Sequence, residues 1–146
     1  MSLAATPVRA PAAQARGRRM VPPLLVAGGI AAATIALHLR DPHDQGSWGL
    51  CPSAALGFYC PGCGGLRAVN DLGDLRIADA ASSNLLFVAT IPLFVWIFWR
   101  WSAGRWTGRA WDPDSRAVAR LSAVLIAVMV VFSVVRNTPA GAWLAP

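Results

Sequence analysis

Charge is scarce in this sequence, and its scarcity excludes most alternatives. Only 14% of the 146 residues are charged and 55% are hydrophobic, whereas an ordinary soluble domain carries about 25% charged residues. A water-soluble globular fold is therefore not expected. Lysine and glutamate are missing altogether: all thirteen basic residues are arginine and all seven acidic ones are aspartate. Together with the abundance of Ala, Gly and Pro, this reads as compositional bias rather than chemistry. A serine-nucleophile motif, a glycine loop to cradle phosphate and a paired-carboxylate signature are also lacking, so nothing points to hydrolytic or nucleotide chemistry. Cysteine is limited to three residues, all between 51 and 63.

The net charge of +6 and the pI near 11.0 are of the kind that attracts nucleic acid, but the placement of the arginines argues against such a partner. Arg9, Arg16, Arg18 and Arg19 precede the first apolar run, and Arg100, Arg105, Arg109, Arg116 and Arg120 lie between or beside the second and third. Those are the flanks of membrane spans.

Three runs are long enough to cross a bilayer. The first, Val21 to Leu39, has about nineteen residues without a charge, sufficient at 1.5 Å per residue for a hydrocarbon core of ~30 Å. Pro22 and Pro23 are expected at its start, where a missing amide donor matters little, and Gly28 and Ala32 offer a small face for another helix. A cleaved or twin-arginine signal is the alternative for this run, but no convincing small-x-small site follows it. The second span, Leu85 to Trp101, follows Ser82, Ser83 and Asn84, whose side chains can accept from the first free helix amides. Pro92 should kink it, and Phe94, Trp96, Phe98, Trp99 and Trp101 form an aromatic belt at its far end. The third span, Val118 to Val135, is closed by Arg136, Asn137 and Pro139. Residues 1–19 are expected to be a disordered basic tail, and 20–146 a single membrane domain.

Flanking arginines are retained on the cytoplasmic side. Four arginines and no acid precede the first span; three arginines against five aspartates lie between Arg40 and Asn84; five arginines flank the second connection. The N-terminus is thus predicted inside, the Arg40–Asn84 loop outside, the Trp101–Arg116 loop inside and the C-terminus outside, in the cell membrane.

The outside loop carries the cysteines as C-x8-C-x2-C: Cys51-Pro52, then Cys60-Pro61-Gly62-Cys63-Gly64. Gly and Pro force a tight turn that frees amides to face the thiolates. A helix after Cys63 would align Arg67, Asn70, Asp71 and Asp74 as one polar stripe opposite Leu66, Val69 and Leu72. Gly73 breaks it, and Asp74 is expected to cap a second short helix, Leu75 to Ala81. A polar stripe is by default a solvated face; the alternative is a segment that re-enters between the spans.

These residues resemble a known family. Cys-Pro, an eight-residue gap, Gly57-Phe-Tyr-Cys-Pro-Gly-Cys-Gly-Gly-x-Arg67-Ala, then Gly-Asp74-Leu and Asn84 ahead of a hydrophobic helix, is similar to the bacterial membrane proteins grouped as domain of unknown function 2752. The likeness covers about residues 48–100; Leu66 and Leu85 depart from it, where Thr and Pro are usual. The resemblance implies a fold and a location, an all-α membrane protein with three transmembrane helices and a short amphipathic or re-entrant segment between the first two. It implies no activity.

Three readings of the cysteines stay open. Cys-Pro-Gly-Cys-Gly matches half of a zinc knuckle, with Cys51 as a third thiolate and His43, or less favourably His38, as a fourth ligand in a structural site. A Cys-x-x-Cys at a helix N-terminus near Arg67 can also be a redox pair, Cys60 and Cys63, in an extracytoplasmic setting that preserves disulfides. The plainest reading is a structural disulfide from Cys51 to Cys60 or Cys63. The expectation is a small, non-enzymatic membrane protein whose cysteine loop is a structural or partner-binding element. Its partners would be the bilayer and further membrane subunits, whether copies of itself or of a larger complex.

Overall fold

The computed structural model describes residues 12–44, 52–109 and 111–145. The elements are α1 (Ala12–Leu39), α2 (Pro52–Ala55), α3 (Gly65–Gly73), α4 (Ile77–Thr107), α5 (Ser115–Arg136) and a 3-10 helix (Pro139–Leu144), with no strand among the described residues. Among the described residues, three helices are long and apolar enough to cross a membrane: α1 from Arg16, α4 and α5. Their large apolar side chains, such as Leu24, Ile30, Val95, Ile126 and Val131, are exposed. In lipid that is the solvated state, since helix association there gains nothing from shedding hydrocarbon.

The helices begin and end for local reasons. α1 starts at Ala12, well ahead of the apolar run, because Ala, Gln and Arg are strong helix formers. Pro22 and Pro23 consequently lie inside the helix rather than at its start. Each removes an amide, and the carbonyl that Pro23 leaves without its i+4 donor is that of Arg19. That carbonyl accepts from Arg105 Nη1 at 3.5 Å, so the proline pair becomes a tie between α1 and α4. α4 is two helices merged across a break at Asn84 (φ −159°, ψ 92°). The Asn84 Oδ1 accepts from the Phe87 amide at 2.9 Å, an N-cap for the span that follows. From there to Thr107 the helix rises about 34 Å, enough to cross. α5 is capped by the Asp114 carboxylate, which accepts from the Arg116 and Ala117 amides at 3.3 and 3.2 Å. Asp74, expected to cap the next helix, instead closes α3. Leu75 then takes a left-handed φ of 60° to turn the chain into α4.

α1 and α4 run antiparallel: Arg19 meets Arg105 at one end, while at the other Gly73 of α3 lies against Thr34 and His38 of α1. α5 packs on the 3-10 helix, which packs on α4. Gly141 makes that join possible, since a Cβ there would run into the Val135 carbonyl. The buried apolar residues are Leu37, Cys63, Ala68, Ala80 and Leu144. Cys63, Ala68 and Ala80 lie where the cysteine turn, α3 and the start of α4 meet, with Leu37 on the adjoining end of α1 and Leu144 on the 3-10 helix. Burial among these residues is therefore concentrated at the end of the spans that carries the cysteine turn, not in their middle.

Candidate functional site

The turn is built by its own sequence. Pro52 opens α2, a single turn that Gly57 ends at φ 76°, and the chain then extends through Tyr59. The Cys63 amide donates back to the Cys60 carbonyl at 3.1 Å and the Gly65 amide to Gly62 at 2.9 Å. Gly64, at φ 80°, leads into α3 in a conformation that costs a side-chain-bearing residue about 1 kcal/mol or more. The outcome is two thiols with Sγ atoms 3.3 Å apart, Cys63 buried and Cys60 half-buried.

The Cys60 thiol is held below its ordinary pKa chiefly by the neighbouring Ser53 hydroxyl, whose Oγ lies 3.7 Å from the Cys63 Sγ; burial opposes this, and the Cys63 thiol and the Gly62 and Cys63 amides add to it. A lowered pKa means more thiolate at neutral pH. Ser53→Ala should therefore move the pH midpoint of Cys60 alkylation upward. A midpoint unchanged in a variant that keeps its helix content would refute the assignment to Ser53.

The backbone of the turn is gripped from two sides. From α4, Asn84 Nδ2 donates to the carbonyls of Pro61 (2.8 Å) and Cys63 (3.0 Å). From α5, Arg136 Nη1 donates to the carbonyls of Cys60 (2.9 Å) and Cys63 (3.3 Å), and Nη2 to that of Leu144 (2.9 Å). Asn84 and Arg136 are each 1% exposed. The guanidinium also lies over the rings of Phe132 and Tyr59, 4.8 and 5.8 Å from their centroids, where the aromatic faces favour a cation. Asn137 completes the grip by exchanging hydrogen bonds with the Tyr59 main chain, Nδ2 to carbonyl at 2.8 Å and amide to Oδ1 at 2.9 Å.

The polar stripe of α3 is turned inward at Asn70 and Asp71, not solvated there as expected, while Arg67 is half-buried and Asp74 exposed. Asp71 is 0% exposed, while Leu66 on the opposite side is 48% exposed. The Asp71 carboxylate meets Arg76 Nη2 at 2.8 Å, His43 Nε2 at 3.3 Å and the Ser83 hydroxyl at 3.1 Å. Asn70 donates to Asp41 at 3.3 Å, and Arg67 donates to the Pro42 carbonyl at 3.4 Å. The Asp41 carboxyl is kept below the usual carboxylate range by the His43 amide first and its ring second.

Of the residues expected to hold zinc, Cys60 and Cys63 are adjacent and Cys51 lies outside the described residues. His43, the expected fourth ligand, presents its two ring nitrogens to Asp41 and Asp71 instead. His38 sits 3.5 Å from Asp74. Among the described residues no group of three or more His, Cys, Asp or Glu side chains is placed to hold a metal ion.

The order of these parts, cysteine turn, inward-facing helix, Asn84 and span, is that of the resemblance drawn from the sequence. Residues 51–98 match the family described as Protein of unknown function (DUF2752). The DUF2752 segment thus supplies the turn, α3, Asn84 and most of the second span, whereas Arg136 and Asn137 come from outside it. No curated protein and no solved structure matches the chain. Arg136 and Asn137, expected from the sequence only to close the third span, are thus site residues as well. Their only signal in the sequence was a cation and an amide side by side at the end of the span on the predicted cysteine side.

Proposed function

We propose that this membrane protein presents Cys60 and Cys63 as a thiol–disulfide exchange pair on the outer face of the cell membrane, toward a disulfide-bearing protein partner. The observation that carries the reading is the asymmetry of the pair: two sulfurs 3.3 Å apart, one half-buried with a lowered pKa and the other only 7% exposed. That division suits an attacking and a resolving thiol. The Cys60 thiolate attacks one sulfur of the partner's disulfide, forming a mixed disulfide and releasing a partner thiolate. Cys63, having given its proton to water, then attacks Cys60 Sγ and releases the second partner thiolate. The pair loses two electrons and the partner's disulfide gains them; run backward, the same steps oxidise the partner.

Leu56 and Phe58 are exposed beside the turn and give an apolar rim on which such a partner can rest. The arginine count that puts the N-terminus in the cytoplasm puts this rim outside. The open Gly28 face of α1, with nothing within contact of a Cβ there, is the place for a second membrane subunit.

Metal content and thiol count on one detergent-purified preparation test the reading. The expected result is no stoichiometric zinc, a reversible two-electron titration of Cys60 with Cys63, and a mixed disulfide that accumulates in Cys63→Ser. One zinc per chain, lost together with folding in Cys60→Ser, would make the turn a structural metal knuckle and end the exchange reading. A permanent bridge from Cys51 to either partner would end it too.

A further inference from the structure

At the end of the α1–α4 pair remote from the cysteines, a basic pocket opens directly into an apolar groove. The pocket, about 360 Å³, is lined by Arg19, Arg105 and Arg109 with Trp101, Trp111 and two glycines. The groove, about 600 Å³, runs between α1 and α4 past Ile30 and Phe98 and shares Trp101 and Trp111 with the pocket. The two are one continuous surface, cationic at the head and hydrocarbon along its length.

The pocket is built by the sequence. Pro23 frees the Arg19 carbonyl, which takes Arg105 and sets the two arginines side by side. Gly108, at φ 74°, leaves the space that the Arg19 guanidinium occupies, since a Cβ there would strike it. A Cβ on Gly104 would stand 2.8 Å from the Arg109 carbonyl, so this glycine lets the following loop fold back and bring Arg109 in. Among the described residues no ion pair takes up Arg19, Arg105 or Arg109, and no carboxylate lines the pocket. The Arg19 and Arg105 guanidinium groups, with Arg109 on the pocket lining and no internal counter-charge, at the level of an aromatic belt, suit a phosphate oxygen cluster.

We infer that this surface binds one anionic phospholipid, its phosphate held by Arg19, Arg105 and Arg109 and an acyl chain laid along the α1–α4 groove. The head group must be anionic rather than zwitterionic. No acid is present to meet an ammonium, and the Trp101 face that would receive one is already covered by Arg105, 5.3 Å from its centroid. The inference is independent of the cysteine chemistry, which lies at the opposite ends of α1 and α4.

Native mass spectrometry of the detergent-solubilised chain, with phosphatidylglycerol or phosphatidylcholine added, tests it. One phosphatidylglycerol should be retained and phosphatidylcholine should not. Arg19→Gln and Arg105→Gln should each weaken retention by about fivefold. Arg100→Gln and Arg16→Gln, whose guanidinium groups stack on Trp96 and Trp106 outside the pocket, should leave it unchanged. A readout on the unaltered chain guards against misfolded variants: phosphatidylglycerol brominated on its acyl chain should quench tryptophan fluorescence at lower mole fraction than the brominated choline lipid. Equal retention of the two lipids, equal loss in all four variants, or inorganic phosphate displacing the lipid at comparable concentration would each overturn the proposal.

Discussion

Arg136→Met is expected to destabilise the protein by on the order of 4 kcal/mol, the largest effect of any single substitution considered. Three charge-assisted hydrogen bonds, to the carbonyls of Cys60, Cys63 and Leu144, contribute about 1.5–3 kcal/mol each. Removing the cation also removes its desolvation cost of several kcal/mol, which offsets part of that sum. What is left is the loss at the carbonyls: Cys63 keeps Asn84 and Cys60 keeps the Cys63 amide, each with one bond fewer, while the Leu144 carbonyl loses its donor. Arg136→Lys should recover less than half of the loss, because one ammonium cannot span acceptors on the turn and the 3-10 helix together. The measurement is denaturation in detergent followed by alkylation of Cys63, which is 7% exposed and should become reactive in the methionine variant. A methionine variant as stable as the parent, with Cys63 still protected, would show that the guanidinium does not hold the turn.

Substitution at Asn84 should separate its two roles. Asn84→Leu loses the donors to Pro61 and Cys63 and the acceptor for Phe87, a change worth about 2–3 kcal/mol once the orphaned Pro61 carbonyl and Phe87 amide are counted. Asn84→Asp keeps the helix cap, and a capping account alone would predict it to be harmless. It also sets a carboxylate against two carbonyls that need donors, so it should be at least as damaging as leucine. The same denaturation assay decides: an aspartate variant near parental stability would reduce Asn84 to a cap and remove it from the site.

Much of the architecture could be read before any coordinates. The spans declared themselves because long, nearly uncharged apolar runs have few other uses, and the break at Asn84 was visible in Ser82-Ser83-Asn84 ahead of a hydrophobic run. The helix after Cys63 and its end at Gly73 were legible from glycine and periodicity. The direction its polar stripe faces was not, since Arg67, Asn70, Asp71 and Asp74 trace the same pattern whether water or protein lies beside them. Only the neighbours of α3, Ser83, His43 and Arg76, decide that. Arg136 was misleading for a related reason. An arginine closing an apolar run ordinarily extends into the head groups, and nothing in the local sequence tells that this one turns back under a loop far away in the chain. Asp74 was a fair choice of cap by residue type, but the chain needed a left-handed residue one position later and used Leu75.

The two grips on the cysteine turn arrive at different times as the chain enters the bilayer. Asn84 follows Cys63 by only 21 residues, so it is at hand as soon as the second helix is made. Arg136 follows by 73, and until the last helix is in place the Cys60 carbonyl has no guanidinium and the turn is held from one side only. The full set of hydrogen bonds around the turn is therefore completed last, when the third helix takes its place.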